Sequence, residues 1–374
     1  SNIRPNRRKS FGLSHKSVRS VFMAKSGIIW LGTYQGGVNK LDPNLALFNL
    51  KLSSPFDPKG LSSPVVTSFA EYKKGKIFVG TDGGGLHLFD RGSGMFEHIE
   101  LKSKLNFSRN PLSILTLELD SRGQLWVGTY QNGVFIYNPA NNSYKQMLAG
   151  SKASDLSLND IFFIKEDSKG LIWIGTNGSG INVFDPKTNL VARYGTNSIS
   201  PMLLPSNGFM RAISEDNNGN MWIASNGTGI AVFVRKEGKF KLYNKTNSGL
   251  ASDVVISLLH DSKGNLWAGT NGGGLSLFNA SNGKFVNYGE ANGLANGIVY
   301  KVLESRDGLI WLSTDKGISS FNPVTKKFKN FGRPNGIQDS PFVLGSGTST
   351  ADGEIYFGGQ DGFNYFSPTT LPTN

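Results

Sequence analysis

Apolar and polar positions alternate along this chain in short bursts, each ended by a glycine-rich or Asn/Asp/Ser-rich turn. That is the pattern of half-buried strands joined by tight hairpins. It is clearest over residues 254–288. There Val254–His260 reads as a first strand, Asp261-Ser262-Lys263-Gly264 as a type I-like turn and Leu266–Thr270 as a second strand. Asn271–Gly274 is a turn that needs positive φ, Leu275–Phe278 a third strand, Ala280–Lys284 its turn and Phe285–Tyr288 a fourth strand. No stretch carries a helical period, and no helix is expected.

The same unit recurs along the whole chain. Asp120-Ser121-Arg122-Gly123-Gln124-Leu125-Trp126-Val127-Gly128-Thr129 returns as Asp167–Thr176 and again as Asp261–Thr270. Its aromatic anchor is occupied in turn by Trp30, Phe78, Trp126, Trp173, Trp222, Trp267, Trp311 and Tyr356, at intervals of 48, 48, 47, 49, 45, 44 and 45 residues. All six tryptophans fall at this position. One large aromatic per repeat is what packing between neighbouring sheets requires, so the anchors read as core. The predicted fold is therefore all-β: a single β-propeller domain over residues 1–374, made of four-stranded blades. The last repeat, Phe342–Thr348, Ile355–Gly358 and Phe363–Phe366, lacks a clear fourth strand. Residues 1–11 are expected to supply it and close an eight-bladed ring. The alternative is seven blades, with the first 50 residues belonging to a preceding module.

Composition narrows the chemistry. The chain has no cysteine, so a thiol nucleophile, a disulfide framework and a Cys-ligated metal are excluded. Forty-seven glycines and 11% aromatics suit many short strands and tight turns. No apolar run is long enough to span a membrane, and no signal-like segment opens the chain. It begins Ser1-Asn2-Ile3 without a Met, as expected of a processed or excised piece. The formal charge of +12 raises the question of nucleic acid. However, Lys187, Lys236, Lys239, Lys241, Lys284, Lys326, Lys327 and Lys329 fall at third turns or on fourth strands. There lysine keeps blade edges from pairing with other chains. The run Arg4, Arg7, Arg8 and Lys9 is the exception that could form a separate patch. Nucleic acid is not the expected partner.

The unit D-x-x-G-x-[IL]-W-[IV]-G-T-x-x-G-G-[LI]-x-x-[FY], carried most fully by Asp167–Phe184 and Asp261–Phe278, resembles the two-component regulator propeller repeat. Residues 73–89 depart from it by lacking the Asp and the Trp. Residues 350–366 have Tyr356 for the Trp and Gly359 for the Thr. The ending Ile355–Pro368 is similar to the final blade of the sensor regions in which these repeats occur. Such a resemblance implies the periplasmic sensor of a Bacteroides-type hybrid two-component system. It would bind an oligosaccharide and signal to a histidine kinase elsewhere in the polypeptide. It implies no cofactor, and it supplies no ligand residues, because the repeated positions are structural.

Candidate chemistry must therefore be sought where equivalent positions differ between repeats. A propeller lyase would need a base near the axis. His260 sits where other repeats have Glu166, Glu215 and Glu304, at the end of a first strand, while His87 and His98 lie on third and fourth strands; only His15 is placed to look into a channel mouth. Asp216-Asn217-Asn218-Gly219-Asn220 has the start of a calcium loop without its distal glutamate, and no metal is expected. Two columns are more informative. Val18, Val66, Ile114, Ile161, Met210, Val255, Val299 and Leu344 form an apolar column read as core. One residue later stand Arg19, Thr67, Leu115, Phe162, Arg211, Ile256, Tyr300 and Gly345, a diversified set expected at the entrance of the innermost strands. The loops after the Gly-Thr form a second set, with Tyr34, Gln35, Asp82, Tyr130, Gln131, Asn177, Asn226, Asn271, Asp315, Gln360 and Asp361.

From these columns the candidate ligand site comprises Arg19, Tyr34, Gln35, Asp82, Tyr130, Gln131, Phe162, Arg211, Tyr300 and Asp361. Aromatic faces suit the C–H faces of sugar rings, and the amides and carboxylates suit hydroxyls. The arginines suit a uronate or sulfate. The expected partners are an oligosaccharide or other small ligand, acidic where those arginines select it, and the neighbouring sensor modules and kinase of the same polypeptide; a homodimer is compatible with the sequence. The competing readings are a non-catalytic scaffold that docks another domain, and a lyase.

Overall fold

Every repeat folds into its own antiparallel sheet, and the eight repeats form eight sheets. In the computed structural model, residues 13–25, 27–42, 47–105, 111–195, 203–206 and 208–371 are described. The first sheet has three strands, β1 (Val18–Met23), β2 (Ile29–Thr33) and β3 (Gly37–Leu41). A short strand, β4 (Asn49–Lys51), follows. Seven four-stranded blades account for the rest. Their inner strands are Val66–Lys73, Ile114–Leu119, Ile161–Glu166, Met210–Glu215, Val255–His260, Val299–Glu304 and Phe342–Ser349, which we number blades 1 to 7.

The apolar face of each blade is buried against the next blade. One hydrophobic cluster fills each boundary: blades 1–2, 2–3, 3–4, 4–5, 5–6 and 6–7, and finally 7–1, where Tyr356 and Phe363 pack with Val66, Phe69 and Val79. These seven clusters form a closed cycle, and none contains a residue of β1–β3. The ring thus has seven blades, and the first sheet stands outside it. Its apolar side chains show the consequence. Val21, Phe22 and Met23 are about two-thirds exposed, at 65%, 64% and 66%, and Trp30 is exposed while the other seven anchors are buried.

Closure is where expectation and structure part. The open edge of blade 7 is taken by β4, in register Phe363↔Lys51, Asn364↔Leu50 and Tyr365↔Asn49. The closing strand is therefore not residues 1–11, which lie outside the described residues together with Arg4, Arg7, Arg8 and Lys9. The physical reason is continuity. Phe48, just before β4, is buried against Trp311, Phe331 and Phe366, so the chain entering blade 1 passes along the edge of blade 7. Buried Asn364 pins the strand by donating to the Asn49 carbonyl at 3.1 Å and the Gly336 carbonyl at 2.9 Å.

The recurring Asp and Trp of the repeat motif are joined by a hydrogen bond. The indole N–H of Trp126, Trp173, Trp222 and Trp267 donates to the turn carboxylate six residues earlier, Asp120, Asp167, Asp216 and Asp261, at 2.8–3.0 Å. Trp311 donates to Ser305 instead, at 3.0 Å. Phe78 has no N–H to give, and the equivalent position is Tyr72, whose ring lies 5.2 Å away. The motif glycine is a matter of clearance. A Cβ on Gly128 would stand 2.8 Å from Ile161 of the next blade.

Across blade boundaries, Glu166 accepts from the amide and hydroxyl of Ser121, Glu215 likewise from Ser168, and Glu304 from Ser262. Glu71 accepts from the Ala351 amide at 2.6 Å, repeating the clasp at the closing boundary.

Two smaller expectations also change. Among the described residues three 3-10 turns and one α-helical turn, α1 (Lys245–Ser248), are present, the latter because Asn244 and Asn247 form a reciprocal capping box around it. In blade 7 the core column is held by Phe342, paired with Gly359, and not by Leu344, which is half exposed. A wide bulge between Phe342 and Gly347 displaces it. The predicted fourth-strand lysines are on the rim, with Lys239, Lys241, Lys284, Lys327 and Lys329 all exposed on outer strands.

Candidate functional site: the mouth of the central channel

Seven inner strands surround a cavity of about 470 Å3 on the propeller axis. Every blade contributes to its wall: Thr67 and Ser68, Leu115 and Glu118, Phe162 and Lys165, Arg211, Ile256 and Ser257, Lys301, and Leu344 and Gly345. Of the diversified column, Thr67, Leu115, Phe162, Arg211, Ile256 and Gly345 line it. The bulge just after the core residue of each inner strand turns the next side chain toward the axis; in blades 3 and 4 the register slips between Ile161 and Phe163 and between Met210 and Ala212.

The loops after the Gly-Thr share this face. Their first amides donate to the residue leading into the inner strand, Asp82 to Val65, Tyr130 to Ser113, Asn177 to Asp160 and Asn271 to Val254. Asp82 itself lines the cavity.

The centre of the site is a three-residue contact between blades 3 and 4. The guanidinium carbon of Arg211 lies 4.4 Å from the centroid of the Phe162 ring, a cation–π stack. Its Nη1 donates to the Asn177 side-chain oxygen at 3.2 Å and to the Met210 carbonyl at 2.9 Å. Among the described residues no carboxylate pairs with it. Burial pulls its pKa down from the ordinary arginine value, the signature of a cation held with incomplete compensation. The aromatic ring fixes the planar group while leaving hydrogen-bonding N–H edges for an incoming anion.

The other candidates are placed unevenly. Tyr300 is committed to a 2.6 Å hydrogen bond to Asp315, and burial followed by that bond raises its pKa. Tyr130 and Gln131 project from their loop, exposed, with Gln131 at φ 63° and its amide donating to Asp160 at 2.7 Å. The equivalent positions in other blades are Gly83, Gly178, Gly227 and Gly272, which take positive φ without strain. Asp361 accepts from the Ser340 hydroxyl, and its amide donates to Gln338.

Arg19, Tyr34 and Gln35 do not join the mouth. They belong to the outlying first sheet, where Arg19 lies 4.9 Å from the centroid of the Tyr34 ring. His15 is there as well, 6.1 Å from Tyr34, so its expected view into the channel is lost. His87, buried, and His98 pack ring against ring at 4.6 Å in blade 1, and burial first, then the neighbouring His98, lowers the His87 pKa to about 4. His260 binds Ser214 at 2.8 Å. None of these four lines the cavity. Among the described residues no cluster of metal-ligating side chains is present.

Sequence reasoning passed over Lys301, Lys165, Glu118 and Ser68 in the channel wall. A signal existed for the first. The residues paired with one second-strand position, Gly80, Gly128, Ala224 and Gly269, are Ser68, Thr116, Ala212 and Ser257, all small, whereas Phe163 opposite Gly175 and Lys301 opposite Ser313 are large.

Comparison with known proteins fits this architecture. The two component regulator propeller family matches at residues 108–131, 155–178, 203–227 and 249–272. No curated protein sequence matches significantly. Among solved structures, the extracellular domain of a hybrid two component system from B. thetaiotaomicron is 30% identical, with a TM-score of 0.80, covering 97% of this chain and 47% of that one. This chain therefore spans about half the length of that structure. Virginiamycin B lyase from Staphylococcus aureus, at 14% identity and a TM-score of 0.64 over 85% of this chain and 98% of that one, shares the fold alone. So does the WD40 propeller domain of Doa1, at 14% identity and 0.61 over 85% and 96%. With four of its repeats matched by that model and its ring shared with a two-component extracellular domain, the chain carries two component regulator propeller repeats.

Proposed function

We propose that this propeller is the ligand-sensing part of a periplasmic hybrid two-component sensor, binding an oligosaccharide at the channel mouth and biasing a histidine kinase in the same polypeptide. The observation that carries the reading is Arg211, stacked on Phe162 at the rim of a seven-sided cavity and lacking a carboxylate partner among the described residues. The cavity volume of about 470 Å3 falls within the usual range for small-molecule sites. Phe162 offers a ring face, and Arg211, Asn177 and Asp82 offer directional polar groups around it. Binding there would stabilise one packing of the propeller against its neighbouring modules, a shift between two states and not a reaction.

Calorimetric titration of the chain with a panel of neutral and acidic oligosaccharides tests this. A saturable response is expected, weakened at least tenfold by Arg211→Ala and left unchanged by Tyr34→Ala, which lies on the outlying sheet. No response to any sugar would overturn it. The second reading, a scaffold without a small ligand, draws on the exposed apolar side chains of the first sheet, Val21, Phe22, Met23 and Val38.

A further inference from the structure

The charged groups deeper in the channel are not explained by the mouth. The cavity wall holds three cations, Lys165, Arg211 and Lys301, against two carboxylates, Asp82 and Glu118. Lys165 and Glu118 satisfy each other at 2.8 Å. That leaves Lys301. Among the described residues its ammonium has no ion pair and no hydrogen bond. It stands in the column where four other blades have Ser68, Thr116, Ala212 and Ser257 and one has Phe163. Its stem lies against the next blade, since a Cβ built on Gly347 would be 3.0 Å from the Lys301 Cγ. Small residues fill the column in four blades and an apolar ring in a fifth, so packing does not call for a charge there. A second unsatisfied group shares the wall: the Ser68 hydroxyl is buried, lines the cavity and has no partner.

Resting on the proposed sensing role, we infer that the channel is an anion site in which Lys301 receives the carboxylate or sulfate group of an acidic sugar. A half-buried ammonium with no carboxylate in ion-pair contact is poorly compensated, and in a partly desolvated cavity its attraction for an entering anion is stronger than in water. The ligand class is thereby narrowed from oligosaccharide to one bearing an anionic group small enough to enter the channel.

Protonation follows the same logic. Burial first, then the nearby Lys165, with Glu118 opposing, brings the Lys301 pKa down to about 8. The other titratable groups around it are Tyr300 and Glu304 on its own strand, with Glu304 held by Ser262, and His260 at the end of the blade 5 inner strand. The inner strand of blade 7, Phe342–Ser349, and the second strand of its own blade, Ile310–Thr314, bring none. An anion that needs the ammonium form must bind more weakly as pH rises through that value.

The test is calorimetry on the whole chain at pH 7 and pH 9, with galacturonate, its neutral counterpart galactose, and inorganic sulfate as probes. Galacturonate is expected to bind, about tenfold more weakly at pH 9, where a group with a pKa of about 8 has lost most of its proton. Lys301→Met should lower the affinity at pH 7 at least tenfold, and Lys301→Arg should restore binding while removing the pH dependence. Thermal melts of both variants check that the ring is intact. Galacturonate binding that is unaffected by Lys301→Met, or independent of pH, would overturn the inference. Binding of galactose alone would overturn it while leaving the sensing role standing. Sulfate binding with the same variant and pH response, without either sugar, would support the anion site and overturn the sugar. No binding of any probe at millimolar concentration would overturn both.

Discussion

The carboxylate of Glu166, at the end of one inner strand, accepts two hydrogen bonds from Ser121 in the preceding blade, from the amide at 2.6 Å and from the hydroxyl at 2.8 Å. Such clasps add direction to the apolar packing at four of the seven blade boundaries. Glu166→Ala should cost about 1–2 kcal/mol, since it removes hydrogen bonds to a charged group at a partly exposed site. Ser121→Ala, which keeps the amide bond, should cost about half as much. Urea denaturation of the two variants checks the order.

The ring should depend on β4 and not on what precedes it. A chain starting at Leu47 keeps Phe48 and β4, and is expected to melt cooperatively close to the full chain. One starting at Ser53 exposes the edge of blade 7 and the aromatic faces that Phe48 covers, and should melt far lower and be cut readily by proteases. Asn364→Ala strands the carbonyls of Asn49 and Gly336 and the amide of Gln338, with an expected loss of about 2–4 kcal/mol. Equal stability of the two truncations would refute this account of closure.

Acid should loosen the blades through their turns. Burial alone would raise the carboxyls of Asp120, Asp167, Asp216 and Asp261, but donation from the tryptophan indoles and the turn amides outweighs it and holds them below the usual value. A carboxyl whose folded pKa is depressed contributes stability that is present above the unfolded pKa, near 3.9, and lost as pH falls through the folded value. The melting temperature is therefore expected to fall steadily below about pH 4, beneath a decline that begins near pH 6.5, where the unfolded chain takes up a proton that folded His87, with its pKa lowered to about 4, refuses. Asp167→Asn, which also breaks the 2.9 Å ion pair to Arg235, should lower stability at pH 7 and reduce the acid sensitivity.

Gln131 offers a way to separate structure from function. Its φ of 63° is a conformation that glycine adopts freely, so Gln131→Gly should raise stability by roughly 0.5–1 kcal/mol. A melting temperature that rises while sugar affinity falls would show that the strained side chain is kept for the ligand. Affinity unchanged in the variant would remove Gln131 from the site.

How much of this was legible beforehand differs by level. The strands, their turns and the anchors could be read because each rests on contacts only a few residues apart. Asp167 bonds Trp173 six residues on, and Thr176 bonds the Gly180 carbonyl four residues on. The column containing Phe162 and Arg211 could also be read, because the bulge that turns it toward the axis recurs at the same step of most repeats. Lys301 was missed because its column is structural in most blades, and a departure there shows only once the column is known to border the channel.

Repetition in the chain alone therefore determined the blade, its four strands and the aromatic that cements it to a neighbour. It could not determine which repeats share a ring. Arg19 and Arg211 occupy the same column, yet one lies on an outlying sheet and the other over Phe162 in the channel wall. That choice belongs to the tertiary structure. A ring closes when the summed rotation between packed blades brings the seventh against the first, and the free edge is then sealed by whichever segment already runs beside it, here Asn49–Lys51. Neither condition is local in sequence, so only the folded ring settles them.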